Sequence, residues 1–316
     1  YTTGEGVVLL EPQSTNLIPY SEDFSNDSWT KSNASITSNY SVSPSGDTST
    51  SRLLASGNAF LYDAFNVTIG AEYTISFWVK SNGGLNNFFL HVNGNNSTLL
   101  TATDAWKRFE HTFTAVNASH NIGIGGSSGA DLQIWGAQLE ALPYATSYIP
   151  TSGAIATRLA DRVTGAGDAT TFNSTEGVLY FEAASLADDL TQRFISLSDG
   201  TSNNRLILGF DSVSNRVISF ARVGGVLSFD IKETVTNVQS YNKYAIKWKE
   251  NDFALWGNGV ELGVDTSGAS FPSNVLNTLK FSDADGTTEM FYGKVKALAV
   301  FNEALTDSEL ECLTKI

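Results

Sequence analysis

The chain has 316 residues, 41% of them hydrophobic and 16% charged, a composition that excludes general disorder and is long enough for two buried cores. Its 33 acidic against 19 basic residues give a formal charge of −14. That charge opposes nucleic acid, whose phosphates need a basic surface, and opposes strongly anionic polysaccharides unless calcium bridges them. Cys312 is the single cysteine, so no intrachain disulfide forms and stability must come from packing. No run reaches the eighteen or so apolar residues of a membrane span, and the first residues lack the basic and apolar regions of a signal peptide. A soluble ectodomain or particle component, trimmed from something longer, is the expected class.

In chain order, residues 1–15 read as a lead-in strand, Val7 to Leu10 stopped by Pro12. From Asn16 short alternating strands separated by Asn, Ser and Gly take over, the pattern of an all-β sandwich. The clearest strand is Glu72 to Lys80, with Tyr73, Ile75, Phe77 and Val79 on a core face and Thr74, Ser76, Trp78 and Lys80 opposite. Asn87 to Asn93 reads as its partner, with Phe88, Leu90 and Val92 on one face and Phe89, His91 and Asn93 on the other, ended by an Asn93-Gly94 turn. Trp106 to Thr114 alternates again. In the strand leading to the hinge, Gln133, Trp135, Ala137 and Leu139 alternate with Leu132, Ile134, Gly136 and Gln138. Residues 16–150 therefore form a first sandwich of seven or eight strands. Residues 151–168, punctuated by Pro150, Gly153, Gly165 and Gly167, read as a linker. Residues 169–316 form a second sandwich, with hairpin turns at Asp199-Gly200, Gly224-Gly225 and Asn258-Gly259, then a short C-terminal helix capped by Thr306 with Glu309 in the capping-box position.

The phrases LLEPQSTNLIPYSEDFSNDSWTKS near the start, and GAQLE, ATSYIPTSG and Ala156-Thr157-Arg158 at the hinge, resemble segments of phage and prophage tail-fibre-like proteins, where they bracket a jelly roll similar to a carbohydrate-binding module. The Trp248 strand, the FALWGNGVEL hairpin and the closing FYGKVKALAVFNEALTDSEL make the second half resemble laminin-G-like and concanavalin A-like sandwiches. These resemblances imply two tandem β-sandwich (jelly-roll) domains, with Trp106, Trp248 and Trp256 in structural positions. They also imply a place in a virion tail or fibre, or outside the cell, with other virion or fibre subunits or further copies of this chain as partners. Such folds serve as lectins, adhesins and glycanases, so function has to be argued from sites.

A glycanase needs two carboxyl groups flanking the scissile bond. The nearest pattern, Glu250-Asn251-Asp252, sits at a hairpin tip and has Leu255 where a third acid would stand. Glu22-Asp23, Asp188-Asp189 and Glu309 with Glu311 read as solvated surface, and His91, His111 and His120 with no paired Cys do not make a zinc or triad site. No catalytic, cofactor or metal residues are assigned. The one turn with ligands for a structural calcium is Asp283-Ala284-Asp285-Gly286. Sugar binding needs an aromatic surface with polar neighbours, and Trp78, Phe89 and His91, extended by Trp135, fit that pattern if the two strands pair. The expected function is therefore non-enzymatic binding of cell-surface or extracellular polysaccharide. A purely structural fibre spacer is the alternative, and a polysaccharide-degrading enzyme the third reading. Membrane insertion and nucleic-acid binding are not expected.

Overall fold

A computed structural model describes residues 6–84 and 86–316, and its regular structure is β apart from one short helix. The chain forms two compact units: Gln13–Leu159, and Pro12 with the described residues before it joined to Ala160–Ile316. Strand β1 (Val8–Leu10) pairs antiparallel with a strand near the C terminus, so it is an edge of the second sandwich rather than a lead-in to the first. The linker also resolves differently. Ala156–Arg158 is a strand paired with Ser14–Asn16, and Ala166 bridges Leu279 of the second sandwich.

The first sandwich contains β2 (Ser14–Asn16), β3 (Thr30–Thr37), β4 (Ser51–Asn66), β5 (Glu72–Ser81), β6 (Asn86–Val92), β7 (Leu100–Ala102), β8 (Lys107–Thr114), β9 (Ser119–Gly126), β10 (Asp131–Glu140) and β11 (Ala156–Arg158). Its organising strand is β4, 16 residues long. Ser51 to Leu54 of β4 pair with β10, while Ala59 to Asn66 pair with β9. The neighbouring β3 follows both parts, with a bulge at Asn33, whose φ of 49° asparagine tolerates better than most residues. One continuous hydrogen-bonded order, β7-β6-β9-β4-β10-β5-β8, thus folds over into two layers. Leu53, Leu61, Ile75, Phe77, Phe88, Leu90, Ile124 and Leu132 meet between them, and Phe88 of β6 contacts Phe109 of β8 ring to ring at 4.9 Å.

Two expectations change here. Strands β5 and β6 do not pair, because β5 lies between β10 and β8 while β6 lies between β9 and β7. In β10 the alternation is broken by a bulge between Trp135 and Gln138, with Gly136 at φ 63°. Leu132 and Ile134 face the core before the bulge, and Ala137 and Leu139 after it.

The two tail-fibre-like phrases prove to be partners. Asn16, fully buried, donates through Nδ2 to Ala137 O (3.1 Å) and Ile149 O (2.9 Å), and its Oδ1 accepts from Ile18 N–H (3.1 Å) and Leu139 N–H (3.2 Å). Nearby, Ser21 N–H donates to Thr151 Oγ1 at 3.0 Å and Gly153 N–H to Pro19 O at 2.8 Å. Buried Glu140 accepts from Ser14 Oγ at 2.6 Å and Thr146 N–H at 3.0 Å, which ties the chain on either side of the hinge to β10.

The second sandwich adds β12 (Glu176–Ser185), β13 (Arg193–Ser198), β14 (Arg205–Phe210), β15 (Arg216–Val223), β16 (Val226–Thr234), β17 (Asn242–Lys249), β18 (Phe253–Gly257), β19 (Val260–Asp265), β20 (Thr278–Lys280), β21 (Gly293–Phe301) and the helix α1 (Asp307–Thr314). The six-stranded sheet β1-β21-β12-β17-β18-β19 packs on the five-stranded sheet β16-β15-β14-β13-β20. Trp248 lies in this core with its indole N–H on Ser174 O at 3.1 Å, and Gly177 opposite it has no room for a Cβ, which would come within 2.6 Å of the ring. Thr306 N–H donates to Glu309 Oε2 at 2.8 Å to start α1, which lays Leu310 against Val178, Tyr180 and Trp256 on the outer face of the six-stranded sheet. Among the described residues, the outer face of the five-stranded sheet carries no helix.

Replacing Asn16 by Ala would leave two buried carbonyls and two buried N–H groups without their partner. We expect a loss of at least about 3 kcal/mol, read as a lower urea midpoint. A change below about 1 kcal/mol would mean that water or local rearrangement satisfies those groups.

Candidate functional site

The four aromatic candidates separate onto two faces. Phe77 and Val79 face the core, so Trp78 points away from it on the β8-β5-β10 layer, directly opposite Trp135 of β10 and Arg108 of β8. Phe88 and Leu90 face the same core from the other layer, so Phe89 and His91 point away on the opposite side of the sandwich. The assumed β5–β6 pairing had placed them together.

The tryptophan face is covered by its own chain. Trp135 is only 5% exposed, packs on Tyr148 with ring centroids 4.5 Å apart, and donates its indole N–H to Ser49 Oγ at 2.8 Å. A Cβ added at Gly136 would stand 3.2 Å from Trp78 and 3.3 Å from Tyr148, so the bulge glycine brings these rings together. Tyr148 hydrogen-bonds Glu22 at 2.9 Å and Ser21 at 2.7 Å, and burial raises its phenol pKa above the ordinary tyrosine value. Arg108 completes the cover by donating to Ser76 Oγ at 2.9 Å. Trp135 is thus packed against residues 145–151 through Tyr148, while Trp78 beside it remains partly exposed.

The opposite face is built differently. Strand β9 reads NIGIGG from Asn121: Ile122 and Ile124 enter the core, and Gly123 and Gly125 face outward. Their register neighbours are Phe60 and Tyr62 on β4 and Phe89 and His91 on β6. Neither glycine has room for a side chain: a Cβ at Gly123 would stand 2.0 Å from Leu61 O of β4, and the four rings lie over and beside the two glycines. The Phe89 ring occupies the space a Cβ at Gly125 would need, 2.2 Å from that position. Phe60 lies 5.7 Å from Phe89 and 4.9 Å from His91, and Tyr62 lies 5.7 Å from His91, as tilted or edge-on pairs. Phe60, Tyr62 and Phe89 remain partly exposed. Exposed Thr30 and Ser32 of β3 flank the strip on one side, opposite Tyr62 and Phe60, and exposed Asn87 of β6 on the other. Among the described residues, the outward positions of β3 beside the strip, of β4 from Ala59 onward, and of β9, β6 and β7 hold no Lys, Arg, Asp or Glu.

His91 adds no charge at neutral pH. Burial of its ring, only partly offset by the hydrogen bond to Asn96, holds it below the ordinary histidine range. Asn96 Oδ1 accepts Val92 N–H at 3.0 Å and lies 2.9 Å from His91 Nδ1, so Nδ1 carries the proton and Nε2 is left as an acceptor.

Phe60, Tyr62, Gly123 and Gly125 were not singled out in the sequence. Their signal is the Ile-Gly-Ile-Gly alternation together with two other segments, AFLY and FFLH, whose outward positions are aromatic.

The remaining candidates fall elsewhere. Glu250, Asn251 and Asp252 form the exposed β17–β18 turn, with Asn251 at φ 57° and Asp252 paired to Lys247 at 2.7 Å. The turn with oxygen ligands suited to calcium is engaged by protein groups: Asp283 pairs with Arg205 and accepts Ala284 N–H at 2.6 Å, and Asp285 accepts Thr287 N–H at 2.8 Å. Among the described residues no group of three or more His, Cys, Asp or Glu side chains is placed to hold a metal.

No family model and no curated protein matches the chain. Solved structures with a similar fold include the CBM40 module of the Ruminococcus gnavus IT-sialidase bound to α2,3-sialyllactose, 17% identical over 49% of this chain and 96% of that one, TM-score 0.40. A leech intramolecular trans-sialidase is 17% identical over 45% of this chain and 24% of its own, TM-score 0.39. A heptameric SAP-like pentraxin from Limulus polyphemus is 16% identical over 45% and 71%, TM-score 0.37. These scores are too low to carry a functional argument, which rests on the residues themselves.

Because the tryptophan face is packed, Trp135→Ala should cost about 3–5 kcal/mol and Gly136→Ala about 1–2 kcal/mol from its positive φ and the close rings. Thermal melts check both. Melting temperatures within a degree of the parent protein would show that residues 145–151 do not depend on this packing.

Proposed function

We propose that the first sandwich is a non-catalytic module that binds uncharged stretches of polysaccharide on the outward face of β4, β9 and β6. The observation that supports this reading is the uncharged aromatic strip over Gly123 and Gly125 with hydroxyl and amide side chains along its borders. The apolar face of a pyranose needs a partly exposed aromatic surface, and its hydroxyls need neutral donors and acceptors nearby. Phe60, Tyr62 and Phe89 would supply the first. Thr30, Ser32, Asn87 and the His91 Nε2 would supply the second. The absence of formal charge along the strip favours a neutral segment over an acidic one.

For the biological setting, we propose a receptor-binding or tail-fibre component acting on cell-surface polysaccharide, in a virion or outside the cell, alongside other fibre subunits. That part rests on the paired phrases around Asn16 and Tyr148. A purely structural role is favoured for the tryptophan face, where the Trp135 ring is occupied by Tyr148 of the protein's own chain.

The reading is tested by glycan-array screening followed by titration of the best neutral oligosaccharide. Phe89→Ala should weaken binding several-fold, an aromatic contact being worth on the order of 1 kcal/mol. Gly125→Ala should do the same by displacing the Phe89 ring. Equal binding by parent and both variants would remove this face from consideration, and an array with no neutral ligand would remove the reading.

His91 gives a pH test. Its folded pKa is depressed while the unfolded chain titrates near about 6.5, so below that pH the unfolded state binds more protons and stability falls. Urea midpoints should therefore decline between about pH 6.5 and pH 5, and His91→Gln should remove that part of the decline. An unchanged slope in the variant would mean that other groups control it.

A further inference from the structure

The outer face of the five-stranded sheet in the second sandwich carries a pocket of about 360 Å³. Its floor follows from strand register. Outward positions on β15 are Arg216, Ile218, Phe220 and Arg222; on β14 they are Arg205, Ile207 and Gly209. Gly209 lies opposite Ile218, where a Cβ would stand 2.1 Å from Arg193 O of β13. Ile218 and Phe220 supply apolar surface, and Arg205, Arg216, Arg222 and Lys232 surround it together with Asp211 and Asp230.

Most of this charge is neutralised. Arg216 Nε donates to Asp211 Oδ2 at 2.6 Å, Lys232 pairs with Asp230 at 2.6 Å, and Arg205 pairs with Asp283. Arg222 differs. Its Nη1 donates to Gly225 O at 3.0 Å, and among the described residues no carboxylate pairs with it. It also stands directly opposite Arg205 across the β14–β15 ladder, a placement of like charges that destabilises a sheet unless an anion sits between them. Arg205, stacked 5.1 Å over Phe220, has a buried Nε without a hydrogen-bond partner. Two guanidinium groups, Arg222 with no acid beside it among the described residues and Arg205 with an unpartnered buried Nε, thus border an apolar floor at one end of the pocket.

We propose that this pocket binds a sugar residue carrying one carboxylate, with Arg222 and Arg205 on the carboxylate and the ring over Ile218 and Phe220. The planar guanidinium fork matches the two coplanar oxygens of a carboxylate. The chain's total of −14 limits the ligand further: a polyanion would be repelled, whereas an isolated carboxylate on a neutral glycan meets only the local surplus of positive charge. The site belongs to the second sandwich and does not depend on the reading of the aromatic strip in the first.

The full chain is titrated by calorimetry with methyl glucuronide, methyl glucoside and glucose 6-sulfate. The glucuronide is expected to bind, the glucoside about tenfold more weakly or not at all, and affinity for the glucuronide to fall several-fold between about 0.05 M and about 0.5 M salt. Arg222→Gln should lower glucuronide affinity about tenfold or more with a melting temperature no lower than the parent's. Arg222→Lys, which keeps the charge and loses the fork, should lower it less, and serves as the readout if the Gln variant does not fold. No glucuronide binding, equal binding of glucoside and glucuronide, or an Arg222→Gln variant that folds and binds as the parent does would overturn the site. Tighter binding of the sulfate than of the glucuronide would overturn its assignment to a carboxylate. Phe89→Ala, in the other sandwich, leaves glucuronide binding unchanged, so failure here is distinct from failure of the neutral-glycan reading.

Discussion

The candidate face depends on one local constraint, the alternation of isoleucine and glycine along β9. Ile122 and Ile124 fix the strand in the core, which forces Gly123 and Gly125 outward. A larger residue at Gly125 would take the space now filled by Phe89, and one at Gly123 would collide with the Leu61 backbone of β4. Four rings from the two flanking strands instead settle over the glycine backbone, half-buried and mutually packed. They retain some apolar surface in water without projecting as isolated hydrophobic side chains. Partial burial also keeps His91 neutral, so the strip gains no charge near neutral pH.

The other face of the same sandwich uses aromatic residues for closure. The bulge at Gly136 lets β10 keep core residues on both sides of an irregularity while Trp135 and Trp78 receive the segment around Tyr148. That segment is held from the other side by Asn16 and Ser21, which lie more than a hundred residues earlier in the chain. The cost of leaving four buried backbone groups unpaired explains why a polar side chain sits in the core at Asn16. It also gives a physical reason for the two phrases occurring together: each satisfies backbone groups of the other.

Much of the architecture is legible in the sequence, because strand alternation, Asn-Gly and Gly-Gly turns and the Thr306–Glu309 capping box are local signals. Features set by long-range pairing are not. Consecutive β5 and β6 look like a hairpin, yet the 16-residue β4 takes part in both layers and separates them, which places Trp78 and Phe89 on opposite faces. Val8–Leu10 carries nothing to say that its partner is Lys294 and its neighbours, nearly three hundred residues away. The β10 bulge reverses an alternation that reads cleanly as one period. At the site, Phe89 and His91 are visible as outward aromatics, but their significance requires Gly123 and Gly125 beside them, and that adjacency comes from the β6–β9 register. In the second sandwich the opposition of Arg205 and Arg222 is likewise a matter of register, across a hairpin whose turn, Asp211 to Asn215, holds no glycine signal.

Contact between the glycine-floored aromatic strip and a neutral glycan is read from backbone amide resonances followed during titration with a neutral oligosaccharide. Gly123 and Gly125 lie under the strip, and Gly136 lies under the tryptophan pair on the opposite face, so three glycines report on the two alternatives. The account predicts saturable shifts at Gly123 and Gly125 with Gly136 unmoved. Shifts centred on Gly136, or no saturable shift at either pair of strands, would contradict it.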